Sequence, residues 1–258
     1  MSDYSEIRSK DKQEDQETQA EITRLGNPRK PEGEAGEQML DRMNADHSGV
    51  TSWALSKIGD IESDSKNGNM MSDAKNGDIV PDSKSRNMVP DADSVIEILD
   101  IGCGGGNTLK LLSRQYPQAR LYGIDYSEVS VKKTMAYNQD AVESGRLQVL
   151  LGSVEEMPYE DETFSVITTV ESFYFWPDPL ENLKEVRRVL KTGGSFYLIA
   201  DIYGKEGLSE SVLENIAEYS LTNPTVEEFI WLFSMAGFRK TKIHLRQGTD
   251  WICVEGRK

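Results

Sequence analysis

The chain has 258 residues, with 29 Lys and Arg against 44 Asp and Glu, and a formal net charge of −15. A protein this acidic is a poor general ligand for phosphate backbones, which argues against nucleic acid as a partner. Its two cysteines, Cys103 and Cys253, lie far apart and form no disulfide framework, which predicts a reducing, cytoplasmic environment. No apolar run reaches the ~18 residues of a membrane span, so no membrane partner is expected.

The N-terminal third is more polar than the rest and divides into three parts. Residues 1–33 are charged and rich in Gln, which is typical of a disordered tail. Residues 34–63 carry apolar residues at helical spacing and predict short helices, a candidate lid over an active site. The residues that define these helices are Met39, Leu40, Met43, Trp53, Leu55 and Ile58.

Residues 64–93 contain a nonapeptide repeat whose units open at Asp64, Asp73 and Asp82. Each unit holds too few apolar residues to bury a face and contains Gly or Pro, so we interpret the segment as a low-complexity spacer. A cation site built on the aspartates is the alternative, but the repeat lacks the ligand spacing of calcium loops.

Residues 94–258 alternate between strand and helix patterns. Strands are predicted at 95–100, 121–124, 147–151, 164–170 and 195–200, with helices at 108–116, 127–143 and 178–193 between them. Two more helices, at 208–220 and 225–237, precede strands at 241–246 and 251–255, whose short link predicts an antiparallel hairpin. The pattern indicates an α/β fold with a doubly wound open sheet of seven strands, mostly parallel.

A glycine-rich loop follows the first strand, with glycine at four of the five positions 102–106. Such a loop lets a ligand approach the backbone, and the next helix directs its N–H groups at the same space. Asp125 ends the second strand, 23 residues after Gly102, where a carboxylate can accept both hydroxyls of a ribose. The alternative for Asp125 is a helix N-cap, a role for which Ser127 competes.

The loop sequence is more consistent with a nucleoside cofactor that carries an amino acid moiety than with one that carries a pyrophosphate. Asn107 stands where a dinucleotide loop has its third glycine. Asp100, two residues before Gly102, would repel a pyrophosphate but suits a ligand with an ammonium group, acting directly, through water or by orienting the loop.

These segments resemble a class I S-adenosylmethionine-dependent methyltransferase of the small-molecule type. The resemblance rests on DIGCGGG, GIDYS, FSVITTV, LKTGGSFYLIAD and the final hairpin, and makes residues 94–258 the methyltransferase domain. It implies the strand order 3-2-1-4-5-7-6. It also implies that the methionine and ribose contact Gly102, Cys103, Gly104 and Gly106, and that the adenine contacts Tyr126, Ser153 and Val154. Many relatives carry an acidic residue where Ser153 stands.

The sequence after the fourth strand, residues 171–177, reads Glu-Ser-Phe-Tyr-Phe-Trp-Pro. Its aromatic residues predict an apolar wall of the substrate pocket, with packing under the next helix as the alternative. Glu171, Tyr174, Tyr203 and His47 are candidates for a catalytic base, and Glu171 is equally a candidate for binding the cofactor. No Cys/His cluster has metal-ligand spacing, so no metal site is expected.

We therefore expect in-line methyl transfer from S-adenosyl-L-methionine to a small molecule, without nucleic acid as substrate. Two alternatives stay open. The first is a non-catalytic sensor or regulatory protein that binds the cofactor. The second is a nicotinamide-dependent oxidoreductase, and Asn107 and the terminal hairpin argue against it. The acceptor atom and the oligomeric state do not follow from the sequence.

Overall fold

The structure, a computed structural model, describes residues 27–59 and 95–258. The strands are β1 (Glu97–Ile101), β2 (Arg120–Asp125), β3 (Leu147–Leu151), β4 (Phe164–Val170), β5 (Leu190–Ala200), β6 (Lys240–Leu245) and β7 (Ile252–Arg257). The α-helices are α1 (Gly33–Asp46), α2 (Ser48–Leu55), α3 (Asn107–Gln115), α4 (Glu128–Tyr137), α5 (Gln139–Glu143), α6 (Pro179–Val189), α7 (Glu210–Glu218) and α8 (Val226–Met235).

All seven strands form one sheet in the order β3-β2-β1-β4-β5-β7-β6. β1 to β5 pair in parallel, and β7 runs antiparallel to both β5 and β6. The predicted fold class, strand order and terminal hairpin are thus confirmed. The winding direction reverses between β1 and β4, so the carboxyl ends of these strands open a crevice of the kind that binds ligands in such sheets.

Helices cover both faces of the sheet, and this is why the central strands are apolar on both sides. Four of the five residues of β1 are buried. α6 and α8 pack on one face and α2 and α3 on the other. Buried side chains from these helices are Leu183, Val186, Phe229 and Phe233 on the first face and Val50, Ala54, Leu109 and Leu112 on the second.

The N-terminal helices pack against the sheet domain. Trp53 of α2 contacts Trp251 of the terminal hairpin, with ring centroids 6.1 Å apart. Asp41 of α1 forms an ion pair with Lys133 of α4 at 2.7 Å. The short helices predicted for this region are thus observed, and His47 alone separates them.

Two predicted helices differ from the observed ones. The single helix expected over residues 127–143 is interrupted at Asn138, whose side-chain amide donates to the carbonyl oxygens of Gly106 and Thr134, each at 3.0 Å. The helix expected over 178–193 ends at Val189, and β5 begins at Leu190 because that residue already pairs with Phe164 of β4. Asp178 caps this helix, and proline follows at its first position.

Part of the N-terminal organisation lies outside the described residues. This holds for residues 1–26 of the predicted tail, residues 60–63, and the whole of the repeat segment 64–93. Residues 27–33, assigned to the tail by sequence, instead contact the domain, where the Pro31 carbonyl accepts from the Ser127 hydroxyl at 2.6 Å. None of the helices in residues 27–59 and 95–258 is long and apolar enough to cross a membrane.

Candidate functional site

The bend between β1 and α3 needs glycine at particular positions. Gly102, Gly104 and Gly106 have φ angles of 68°, 50° and 85°, a region that favours glycine. A Cβ atom on Gly102 would lie 2.3 Å from the Ser172 hydroxyl oxygen, so the loop after β4 can approach this glycine only because it has no side chain. The loop is tied to β2 because the N–H groups of Gly102 and Cys103 both donate to the carbonyl of Ile124, at 2.8 and 3.2 Å.

A cavity of about 260 Å³ opens above this bend. A single buried water needs only ~10–15 Å³, so the cavity has the size of a ligand site. Most of its lining comes from five parts of the chain. They are the N-terminal segment and α1, the glycine loop, the end of β2 with Tyr126, residues 152–155 after β3, and residues 170–177 after β4.

Asp125 joins the end of β2 to the glycine loop. Its Oδ2 accepts the backbone N–H of Gly104 and its Oδ1 accepts that of Ser127, both at 2.9 Å. The N-cap of α4 is Ser127, whose hydroxyl accepts from Ser130. The carboxyl lines the cavity with 8% of the residue exposed, and burial raises its pKa. Asp125 therefore lies where it can contact a ligand in this cavity, and the N-cap of α4 is Ser127.

Most of the residues proposed to contact the cofactor meet at this cavity. Those that line it are Gly102, Cys103, Gly104, Asp125, Tyr126, Ser153, Val154 and Glu171. Ser153 donates its hydroxyl proton to Glu155 at 3.0 Å, and Glu155 lines the same wall. A carboxylate thus stands two residues after the position where related sequences have an acidic residue.

Asp100 and Gly106 do not line the cavity, so direct contact between them and a ligand there is not supported. Asp100 is 1% exposed and accepts the Thr168 hydroxyl at 2.7 Å, between β1 and β4. Burial raises its pKa to about 7. Gly106 faces α4, and a Cβ there would lie 2.9 Å from the Cα of Thr134. Three roles are open for Asp100: direct contact with the ligand, contact through water, and orientation of the glycine-rich loop. Its buried position between β1 and β4 fits the third role.

The aromatic segment after β4 divides between two roles. Phe175 and Trp176 line the cavity, as the apolar-wall interpretation predicts. Phe173 is 2% exposed and packs on Phe229 of α8, as the packing interpretation predicts. The division follows from the short 3₁₀ turn Phe173–Phe175, which points successive side chains in different directions.

The four candidates for a catalytic base also divide into residues that line the cavity and residues that do not. His47 and Glu171 line the cavity, whereas Tyr174 and Tyr203 do not. The Tyr174 hydroxyl is held between two carboxylates, 3.0 Å from Asp201 Oδ1 and 3.3 Å from Glu171 Oε2. Tyr174 therefore positions acidic groups and has no access to a ligand in the cavity.

Glu171 has two unusual properties. Its φ of 54° is rare for a residue with a side chain, and such conformations concentrate at functional sites. Only 7% of it is exposed, and burial, followed by the nearby Asp201, raises its pKa well above the ordinary value. An acidic group in this state at the wall of a ligand-sized cavity is a candidate for direct participation in chemistry.

Sequence reasoning missed the contribution of α1 to the site. Leu40, Met43 and Asn44 line the cavity, and the Asn44 side chain donates to the carbonyl of Gly105 at 3.0 Å. No sequence signal links an asparagine in a helix to a glycine loop 61 residues away. Asp201 was also missed, although its place directly after β5, at the ligand-binding edge of the sheet, is a usable signal.

Comparison with known proteins finds a family match for the central part of the chain. The profile of a family described as "Methyltransferase domain" matches residues 99–198. The 2-methyl-6-phytyl-1,4-hydroquinone methyltransferase 1 of Oryza sativa subsp. japonica is 29% identical over 156 residues, 60% of this chain and 44% of the rice protein. Demethylmenaquinone methyltransferase of Bacillus mycoides is 28% identical over 171 residues, 56% of this chain and 70% of that protein. The chain thus spans less than half of the rice relative.

Solved structures show the same fold. Phosphoethanolamine N-methyltransferase 2 of Haemonchus contortus, solved with S-adenosylhomocysteine, superposes with a TM-score of 0.65 at 12% identity, over 86% of this chain and 57% of that one. Geranyl diphosphate C-methyltransferase of Streptomyces coelicolor superposes with a TM-score of 0.59 at 13% identity, over 91% and 86% of the two chains.

The sheet order, the glycine bend after β1 and the acid at the end of β2 agree with the family match over the central part of the chain. Residues 99–198 thus match the methyltransferase domain family, and the protein has the class I methyltransferase fold.

Proposed function

We propose that this protein transfers a methyl group from S-adenosylmethionine to a small molecule that binds beneath α1 and residues 172–177. The observation that carries the proposal is the position of Asp125, which ends β2 and contacts the glycine loop while it lines the cavity. When bound, S-adenosylmethionine supplies an electrophilic methyl group on a sulfonium sulfur.

The residues of the cavity fit this cofactor. A carboxylate has about four lone-pair positions, and Asp125 uses two of them for backbone N–H groups, which leaves two for the hydroxyls of a ribose. Tyr126 and Val154 border the space beyond Asp125 and would flank the adenine. Gly102 and Gly104 expose backbone where the methionine moiety would lie.

The charge and polarity of the walls also suit the chemistry. Asp125 and Glu155 favour a cationic ligand in the cavity. Phe175 and Trp176 exclude water from one side, which suits a displacement that neutralises charge as it proceeds. Alignment of the two reactants is the main contribution of such a site, and proximity is worth up to ~7–11 kcal/mol.

The acceptor is proposed only as a small molecule. The names of the rice and Bacillus relatives indicate quinone-type acceptors for those proteins, and we extend to this chain the general class alone. α1, with Leu40 and Met43, provides apolar surface for part of such an acceptor.

Titration calorimetry and a turnover assay test the proposal. We expect S-adenosylmethionine and S-adenosylhomocysteine to bind, and NAD not to bind. We also expect S-adenosylhomocysteine to accumulate with at least one acceptor in a panel of hydroquinones, sterols, amines and thiols. Binding of NAD without S-adenosylmethionine would overturn the proposal. Cofactor binding without turnover on the whole panel would favour the sensor alternative.

A further inference from the structure

Three potential ligand groups from distant parts of the chain converge at the wall of the cavity. They are His47 at the junction of α1 and α2, Glu171 after β4 and Asp201 after β5. One potential ligand atom from each residue, a ring nitrogen or a carboxylate oxygen, lies within 4.8 Å of the other two. His47 and Glu171 line the cavity itself, so the space among the three groups is continuous with the ligand site.

One oxygen of the two carboxylates lacks a hydrogen-bond donor. The Tyr174 hydroxyl contacts both Asp201 and Glu171, but a phenol carries one proton and satisfies one acceptor at a time. Its lone pairs are taken by the N–H groups of Asp201 and Ile202 at 3.1 and 3.3 Å. Within the described ranges, Glu171 Oε1 is buried without any partner. Such an oxygen indicates a missing positively charged or proton-donating group.

Within the described part of the chain, no ion pair from lysine or arginine supplies that positive charge. Among residues 27–59 and 95–258, no ion pair joins Glu171 or Asp201 to a basic side chain. Two carboxylates at short range in a buried site repel each other unless a cation or a proton lies between them. His47 is the remaining group at this position, and its imidazole is a metal ligand in its neutral form.

We propose that His47, Glu171 and Asp201 bind one divalent transition-metal cation at the wall of the cavity. Metal–ligand bonds of about 2.0–2.2 Å place two ligands of one ion about 3 to 4.4 Å apart. The ligand atoms of this cluster lie within 4.8 Å of one another, so small side-chain adjustments would bring them to one ion. Glu171 Oε1 would gain the partner that it lacks. Tyr174 would hold the two carboxylates in place from behind, as hydrogen-bond donors commonly do for metal ligands.

The ligand types indicate the kind of metal. One imidazole with two carboxylates suits Mn²⁺, Fe²⁺ or Zn²⁺ better than Mg²⁺ or Ca²⁺, which prefer oxygen ligands alone. Three protein ligands would leave further coordination positions free for a ligand, as in catalytic metal sites, and two of the three line the cavity.

The role of the metal, unlike its binding, rests on the proposed function. An acceptor hydroxyl bound at an open position would lose its proton more readily, because the cation stabilises the oxyanion. That proton leaves to solvent. The new bond between oxygen and the methyl carbon then forms as the bond between sulfur and that carbon breaks, and the sulfonium leaves as a neutral thioether. The site therefore points to a hydroxyl-bearing acceptor.

Manganese binding to the full chain tests the site directly. The protein is produced without a polyhistidine tag, stripped with EDTA and titrated with Mn²⁺ while electron paramagnetic resonance follows the free ion. We expect one site per chain whose pulsed spectrum shows nitrogen hyperfine coupling. His47→Ala should remove that coupling and weaken binding by at least about tenfold, and the isosteric Asp201→Asn should weaken it similarly.

His244→Ala is the matched control. His244 is the other histidine of the chain and bonds Glu255 in the terminal hairpin at 3.0 Å, so its loss should leave Mn²⁺ affinity and nitrogen coupling unchanged. Binding without nitrogen coupling, or binding unaffected by Asp201→Asn, would overturn the proposal. If the His47→Ala variant does not fold, the nitrogen coupling of the wild-type protein and the Mn²⁺ titration of Asp201→Asn still test the proposal.

The same samples separate this proposal from the proposed function. Metal binding without affinity for S-adenosylmethionine would contradict the function and leave the metal site standing. Cofactor binding and turnover in stripped protein that takes up no Mn²⁺ would overturn the metal site and leave the function standing.

Discussion

The carboxylate of Asp125 accepts the backbone N–H of Gly104 at 2.9 Å, across 21 residues of sequence. The contact fixes the end of β2 against the bend after β1, so the acid that would bind the ribose also shapes the loop that would carry the methionine. Both roles depend on the same side chain.

Replacement of Asp125 by alanine should weaken binding of S-adenosylmethionine by ~1–3 kcal/mol, the range for hydrogen bonds lost from a charged group. Titration calorimetry measures the change. Thr225→Ala is the control, because Thr225 caps α8 through Glu228 and does not line the cavity. It should lower thermal stability without altering cofactor affinity. An unchanged affinity in the Asp125 variant would remove this residue from the site.

Gly102→Ala should abolish tight cofactor binding, because the new Cβ would lie 2.3 Å from the Ser172 hydroxyl oxygen and force the two loops apart. Gly193→Ala is a matched control with a similar φ of 82° and nothing within 4 Å of the added atom. Both variants carry the backbone strain of about 1–2 kcal/mol, and only the first carries the steric clash. Equal loss of affinity in both would argue against the clash.

Asn44→Ala should speed cofactor release, because it removes the hydrogen bond from α1 to the carbonyl of Gly105. A loss of about 1 kcal/mol corresponds to roughly a fivefold faster dissociation if association is unchanged. Stopped-flow displacement measures the rate. Gln38→Ala, on the exposed face of the same helix, should leave the rate unchanged. Equal rates in wild type and Asn44→Ala would show that α1 does not retain the ligand.

Asp100→Asn should stabilise the protein near neutral pH and flatten its pH dependence. Burial raises the pKa of Asp100 from 3.8 to about 7, so between these pH values the folded state keeps a proton that the unfolded state has lost. The wild-type free energy of unfolding should therefore fall as pH rises through this window, by at most about 1.4 kcal/mol per pH unit.

The asparagine variant keeps an oxygen acceptor for Thr168 and has no charge to bury. Urea unfolding at several pH values between about 4 and 7 compares the two proteins. Parallel stability curves would show that Asp100 does not titrate in this range.

Much of the fold follows from local pattern. The apolar run of β1, the glycines after it and the cap at Asp178 act over a few residues, and each predicts the element that the structure shows there. The hairpin follows from the short link between its strands, which cannot hold a parallel crossover. Asp125 follows from its place at the end of β2 and its distance along the chain from the loop.

The directions of side chains and the contacts between distant segments could be determined only from the tertiary structure. Asp100 and Gly106 belong to the loop by sequence, yet one side chain points between β1 and β4 and the other position faces α4. The break at Asn138 depends on the carbonyl of Gly106, 32 residues earlier. A local pattern has no access to such a partner.

The sequence by itself determined the sheet, the glycine bend and the acid that faces it, because periodicity, glycine conformation and strand ends are properties of short segments. Only the tertiary structure decided that α1 covers the bend and that Asp201 lies close to His47 and Glu171, which line the cavity. Each of these three groups comes from a different part of the chain, and their proximity results from how helices and strands pack.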